Sequence, residues 1–331
     1  MRAILRFLRT FTATTKGMVC AASLLVVIIC ILLSLAQKST QQQRLPNIRV
    51  TDQEIADLAN ELRKSDRNKA RSNQIQLDYQ GHTSTRDTAD NAKSKFFRSV
   101  DQSLFSGDGT YAKLFQLYDN FEFETGVSEI ETAQERTEIK SFVDAVVKTR
   151  PMQLLFQFLQ RKEHPYARSE NQFRQWLLQL WFASYSRARG NIDTSGFEHV
   201  FMGEAKNGEI SGLHNWVRLY YLEKNSSPGF DYKGFLVKRF NIFGAIKFSI
   251  GNFMKRSGSF FIGTSPEYDM SIYTLCFLFR RGVTTCNFEF DGCPIAITSF
   301  DLIQQKRVFI GSMYRVLVEL LKRVEETIVE M

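Results

Sequence analysis

The sequence predicts an α+β fold: a helical amino-terminal half, then a strand-rich carboxyl-terminal half, with an N-terminal transmembrane helix ahead of both. Three observations predict it. Up to about Gly190, apolar residues recur every three or four positions, the period of a helix with one buried face. Beyond Gly190, glycine, β-branched and aromatic residues rise, and two alternating runs flank Asp291-Gly292, a two-residue hairpin signal. Met18 to Ala36 form nineteen residues without a charge, after a basic segment.

That apolar segment is long enough to span hydrocarbon as a helix. Arg2, Arg6, Arg9 and Lys16 precede it, which places residues 1–17 in the cytoplasm as a basic tail. A single-pass type II anchor with a lumenal or extracellular bulk is therefore expected, within the secretory pathway. Ser34 and Ala36 offer small residues at a cleavage position, so a removable signal peptide, giving a secreted chain, stays open. Residues 37–47 read as a polar linker ending just after Pro46, and 48–331 as the folded part, split near 190.

Composition sets wider bounds. An apolar fraction of 44% with 29 Phe is ample for a core and excludes wholesale disorder. Of the net charge of +8, half lies before residue 37. The rest carries 39 basic and 35 acidic residues, which permits a polyanionic partner without demanding one.

Thr51 with Glu54 forms a capping box ahead of Ile55, Leu58 and Leu62, so a helix starts there. Residues 64–93 are polar and irregular. Lys95–Leu104, Tyr111–Tyr118, Glu135–Val147, Pro151–Arg161 and Ser169–Tyr185 read as helices. Phe197–Phe201, Gly234–Phe240, Ile246–Ile250 and Ser259–Ile262 suggest strands. Ser265–Leu275 reads as a helix with Pro266 in its first turn. Thr284–Phe290 and Cys293–Ser299 form the hairpin, Val308–Ser312 a further strand, and Arg315–Val329 a closing amphipathic helix.

Cys276, Cys286 and Cys293 are odd in number, so any disulfide leaves one thiol over. No Cys/His spacing resembles a zinc site. Asn225 heads a glycosylation triplet.

Histidine carries the chemistry. The chain has four, and His199 and His214 lie fifteen residues apart, each behind its own glycine-containing turn, Ser195-Gly196 and Ser211-Gly212. A pair of imidazoles can supply one proton donor and one acceptor near neutral pH. That suffices to cleave RNA through its own 2′-hydroxyl. His82 and His164 lie in polar segments and read as surface residues.

Around these residues the chain resembles the EndoU family of poly(U)-preferring endoribonucleases, most closely its animal, XendoU-like branch. The resemblance covers about residues 48–330. It rests on ordered blocks: VTDQEIADLANELRKSDRNKA, FFRSVDQSLFS, LYDNFEFETGVSE, SGFEHVFMGEAKNGEISGLHNWVRLYYLE, GSFFIGTSPEYDMSIYTLCFLFR and KRVFIGSMY. It implies cleavage of single-stranded RNA 3′ of uridines to 2′,3′-cyclic phosphate and 5′-hydroxyl ends, with a manganese (Mn2+) requirement. By position it makes His214 the base and His199 the acid. Lys255 would stabilise the transition state, with Lys247 as the other lysine in range. Glu198 and Glu204 match acidic residues that flank the first histidine, as metal ligands or as supports of the histidines. Ser259, Ser312 and Tyr314 match substrate-binding positions. Arg315 stands where proline is common in the family, and Ser312 where threonine is expected. A monomer acting on RNA is implied.

Blander readings accompany each assignment. Glu204 can be a surface ion pair with Lys206, Lys255 a solvated neighbour of Arg256, and Tyr314 plain core. A membrane-tethered RNA-binding scaffold that lost cleavage is the alternative function. A metal-dependent phosphodiesterase would need a denser carboxylate cluster than this stretch offers.

Overall fold

In the computed structural model, which describes residues 45–128, 130–187, 190–225, 229–282 and 284–317, the first helix begins where Thr51 caps it. The Thr51 hydroxyl accepts from the Glu54 main-chain N–H at 3.2 Å, and the Glu54 carboxylate accepts from the Thr51 N–H at 3.0 Å. Described residues 45–304 and from 308 onward belong to one unit; of the other unit only Gln305–Arg307 is described.

The described α-helices are α1 (Asp52–Ser65), α2 (Thr110–Gln116), α3 (Ala133–Val147), α4 (Arg150–Arg161), α5 (Glu170–Phe182), α6 (Trp216–Asn225) and α7 (Pro266–Phe279). The strands are β1 (Ile75–Leu77), β2 (Phe97–Val100), β3 (Glu204–Lys206), β4 (Glu209–Ser211), β5 (Phe230–Arg239), β6 (Phe243–Ile250), β7 (Phe253–Phe261), β8 (Cys286–Phe290), β9 (Cys293–Gln304) and β10 (Arg307–Leu317). They form a two-stranded sheet β1-β2, a three-stranded sheet β10-β9-β8 and a five-stranded sheet β3-β4-β7-β6-β5.

The helix α7 is central. Ser265 caps it and its side chains are buried almost all round, which explains a sequence with no polar face. It packs on α1, α4 and β9, and the Cys276–Cys286 disulfide ties it to β8. Cys293 lies buried on β9, outside that bridge. The β8–β9 hairpin turns at Asp291 (φ 47°) and Gly292 (φ 83°), the positive-φ pair that its two-residue turn demands.

Several expectations are corrected. The spanning helix expected over residues 18–36 lies outside the described residues, and among the described residues no helix is long and apolar enough to cross a membrane. The fold class is corrected accordingly to a mixed helix-and-strand fold. The type II membrane placement and secretory localisation expected from that segment find no membrane-spanning helix among the described residues to carry them, and the membrane partner expected through residues 18–36 is not supported there. The halves also mix further than expected: β1 and β2 lie in the first, and α6 joins the expected α7 in the second. Of the helix expected over Lys95–Leu104 only the end coils, as a 3₁₀ turn at Gln102–Phe105; before it, the Phe96 and Phe97 N–H groups are drawn to the buried Glu223 carboxylate and the chain extends into β2. Residues 315–317 continue β10 rather than start a helix; 318 onward lie outside the described residues. His164 is buried, not on the surface: its Nδ1 accepts from Tyr166 N–H, and its ring meets Tyr166 and Phe279 edge-on.

Candidate active site

Phe197–Phe201 suggests a strand from its aromatic and β-branched content, yet the chain coils. Gly196 and Phe197 are helical, and Glu198–Met202 forms a π turn closed by Gly203 N–H donating to the Glu198 carbonyl at 2.8 Å. Stacking decides it: Phe197 lies on Phe201 at 4.8 Å and on Phe182 at 4.6 Å. A π turn opens a helix by one residue and often marks functional sites. Here it frees two carbonyls for another segment. Leu213 N–H donates to the His199 carbonyl at 2.9 Å, and His214 N–H to the Val200 carbonyl at 2.7 Å. The two histidine segments are thus joined main chain to main chain.

Gly212 makes this approach possible. Its φ is +66°, and a Cβ there would overlap the His199 carbonyl oxygen. Gly212→Ala is expected to cost about 2–5 kcal/mol, from positive-φ strain plus overpacking, read as a lower denaturant midpoint. An alanine variant with the wild-type midpoint would refute this account.

The two imidazoles face each other with ring centroids 6.4 Å apart at 60°. His199 Nδ1 is 3.1 Å from Glu204 Oε2 and 3.3 Å from Arg187 Nη2. Nδ1 cannot both donate to the carboxylate and accept from the guanidinium. The charged acceptor takes the proton, and Arg187 Nη2 donates instead to the Tyr185 hydroxyl and the Gly311 carbonyl. Arg187 Nε and the Thr194 hydroxyl donate to Glu204 Oε1. Burial pushes the Glu204 carboxyl upward, but its bonds to His199, Arg187 and Thr194 outweigh this and hold it below the ordinary value. Burial lowers His199, with Glu204 pulling the other way and the charges of Arg187 and Lys255 adding to the fall.

His214 Nδ1 lies 2.8 Å from the Ser259 carbonyl, which can only accept, so Nδ1 carries the proton. Burial, then the charges of Lys255 and Arg315, push His214 well below its usual range. In both rings Nδ1 is tethered and Nε2 remains for a substrate. Lys255 and Ser259 sit on β7. A bulge opposite Lys247 inserts one extra residue between them, since Ile246 pairs with Gly258 but Phe248 with Lys255. Bulges commonly re-aim side chains beside active sites. Lys255 Nζ donates to the Ile210 carbonyl at 3.2 Å, and burial lowers it to about 8 against the pull of Glu204 and Glu209. Its charge reaches both imidazoles.

The arrangement can be compared with known proteins. The family model described as Endoribonuclease XendoU matches residues 54–315. The chain belongs to the XendoU endoribonuclease family. It is 36% identical over 264 residues to a Bos taurus protein named uridylate-specific endoribonuclease, covering 76% of this chain and 61% of that one. It is 37% identical over 255 residues to the Xenopus laevis uridylate-specific endoribonuclease C, covering 76% and 83%. The solved structure of XendoU, titled a splicing independent snoRNA processing endoribonuclease, superposes with a TM-score of 0.69 at 33% identity. That match covers 80% of this chain and 97% of the other. The chain thus spans under two thirds of the bovine relative's length.

Within this XendoU-family fold, His199, His214, Lys255, Ser259 and Glu204 come together. Ser312 and Tyr314 lie on β10 between two ties to the site: Arg187 holds Gly311, and Arg315 holds His214. Tyr314 is 39% exposed, so it is not plain core. Lys255 is buried while its neighbour Arg256 bonds the exposed Glu209. Glu204 is no surface pair with Lys206, which donates to the Arg187 carbonyl instead. Lys247 is outside the cluster, its ammonium on the Asp87 carbonyl. Asn225 ends α6, exposed.

The two carboxylates that the resemblance offers to manganese are Glu198 and Glu204. Glu204 spends both oxygens on His199, Arg187 and Thr194. Glu198 is buried in the π turn, and among the described residues no group of three or more His, Cys, Asp or Glu could hold a metal. Sequence reasoning missed Arg187 and Thr194. No spacing rule links either to Glu204, because a loop and not a helix or strand brings them in.

Proposed function

We propose that this chain is an endoribonuclease that cuts single-stranded RNA, preferentially 3′ of uridines, by making the ribose 2′-oxygen attack the adjacent phosphorus. The observation that carries the proposal is the pair of imidazoles 6.4 Å apart, each with Nδ1 held by an acceptor, which leaves Nε2 for the reaction. The family membership and the names of the relatives point the same way.

His214, kept neutral by burial and by the charges around it, takes the 2′-hydroxyl proton at Nε2. His199, its Nδ1–H on the Glu204 carboxylate, gives a proton from Nε2 to the departing 5′-oxygen. The Lys255 ammonium offsets the charge that builds on the phosphorane oxygens. Bond making and breaking balance: one P–O bond forms to the 2′-oxygen, one breaks to the 5′-oxygen, and one proton passes through each histidine. The exposed Tyr314 ring offers a stacking face, and the Ser312 hydroxyl a hydrogen-bonding group, to the uridine.

The test is an oligonucleotide with a single ribouridine, compared with the same strand carrying 2′-deoxyuridine. The ribose strand is expected to yield 2′,3′-cyclic phosphate and 5′-hydroxyl ends, and the deoxy strand to stay intact. Cleavage of the deoxy strand would show that another nucleophile is at work.

A further inference from the structure

Arg315 is buried to 1% exposure, yet the reaction scheme gives it no role. Its guanidinium lies over the Phe261 ring at 4.2 Å and the Tyr273 ring at 4.8 Å, and Nη2 donates to the His214 carbonyl. Two of its other donors, Nε and Nη1, have no hydrogen-bond partner. A buried cation with unspent donors is costly, and such groups are retained where they fix a structure. The bonds around it close a ring across three segments. His214 Nδ1 donates to the Ser259 carbonyl at 2.8 Å, the Ser259 hydroxyl to the Arg315 carbonyl at 2.7 Å, and the Arg315 guanidinium to the His214 carbonyl. Tyr314 is the residue before Arg315 on β10. Proline, expected here from the family pattern, has no donor with which to close this ring.

We propose that Arg315 is a positioning residue of this enzyme, clamping the main chain of His214 to β10 so that the proton acceptor and the strand bearing Tyr314 keep one fixed register. The inference rests on the proposed nuclease reading and deepens it. Arg315 acts through His214 and touches no reacting atom. It also sets the field at that imidazole. The charged groups facing His214 are Lys255 from β7, His199 from the π turn and Arg315 from β10. Behind Arg315 lies Asp269 of α7, held by Asn215 at 3.3 Å, with Asp66 further along. Burial raises Asp269 to about 6, so below that pH Arg315 loses its counter-charge.

The test pairs Arg315→Met with Arg315→Lys in the full chain. The His214 titration is followed by imidazole NMR without substrate, and kcat and KM are measured on a ribouridine oligonucleotide. Arg315→Met should move the His214 midpoint upward, lower kcat on the order of 10- to 100-fold and raise KM as Tyr314 shifts with β10. Arg315→Lys keeps the charge, so the midpoint should stay near wild type while kcat still falls. A folded Arg315→Met with the wild-type midpoint overturns the inference, as does wild-type kcat in Arg315→Lys; the lysine variant decides the matter if the methionine variant does not fold. The titration needs no RNA. A wild-type chain that fails to cut RNA therefore sinks the nuclease reading, whereas an unmoved midpoint in an active enzyme sinks this inference alone.

Discussion

Replacing His214 by alanine should reduce cleavage of a uridine-containing RNA on the order of 10²- to 10⁴-fold while the protein stays folded. Removal of the ring deletes the imidazole that the Ser259 carbonyl holds beside the partner imidazole. The main-chain bond from His214 N–H to the Val200 carbonyl does not depend on the side chain, so the joined segments should survive. His199→Ala should cost a similar factor for the proton that the leaving oxygen needs. The double variant should be little worse than either single one, because groups that act as a unit are strongly non-additive. Thermal unfolding run beside the kinetics separates chemistry from folding. Wild-type rates in either single variant would remove the pair from the mechanism.

The second large effect concerns Lys255. Lys255→Met should lower kcat/KM on the order of 10²- to 10³-fold, the usual cost of losing one group that stabilises developing charge. The pH dependence carries a sign. Burial lowers this ammonium to about 8, so it is charged below that value and loses its charge as pH rises through it. Cleavage at limiting substrate should therefore begin to fall as the acid His199, itself lowered by burial, loses its proton, and fall more steeply above about pH 8 as Lys255 loses its charge, since kcat/KM reports the free enzyme. Arginine keeps its proton throughout this range, so Lys255→Arg should flatten the alkaline limb even where it is slower. An alkaline limb of unchanged position in Lys255→Arg would assign it to another group.

What the sequence revealed of this site depended on distance along the chain. Thr51 with Glu54, Ser265 before Pro266, and Asp291-Gly292 act within a few residues, and each appears in the fold where local rules put it. The histidine pair was legible because two rare residues share one glycine-marked stretch. The π turn was not: Phe197, Val200 and Phe201 are residues that strands favour, and stacking of Phe197 on Phe201 and Phe182 tips them into a coil. Glu204 showed a similar limit. Its neighbour in sequence, Lys206, suggested a solvated pair, whereas its partners are Arg187 and Thr194 from a preceding loop and His199 from the π turn. The choice between Lys255 and Lys247 needed the bulge, which pairing across β6 and β7 creates. His164 misled for the opposite reason: polar neighbours surround it in sequence, and aromatic ones in space.

The bonds from residues 213 and 214 to the carbonyls of 199 and 200 have one more consequence. The gap between the two reacting groups is spelled first in peptide units, and the side chains that matter are the few that hold those units in place: Gly212, the Phe197 stack and Arg315. Aromatic residues of the core outside the Phe182–Phe197–Phe201 stack can then be exchanged at a cost in melting temperature without retuning the gap. A scaffold wired in this way lets most of its text drift and still hands the same two rings to a phosphate.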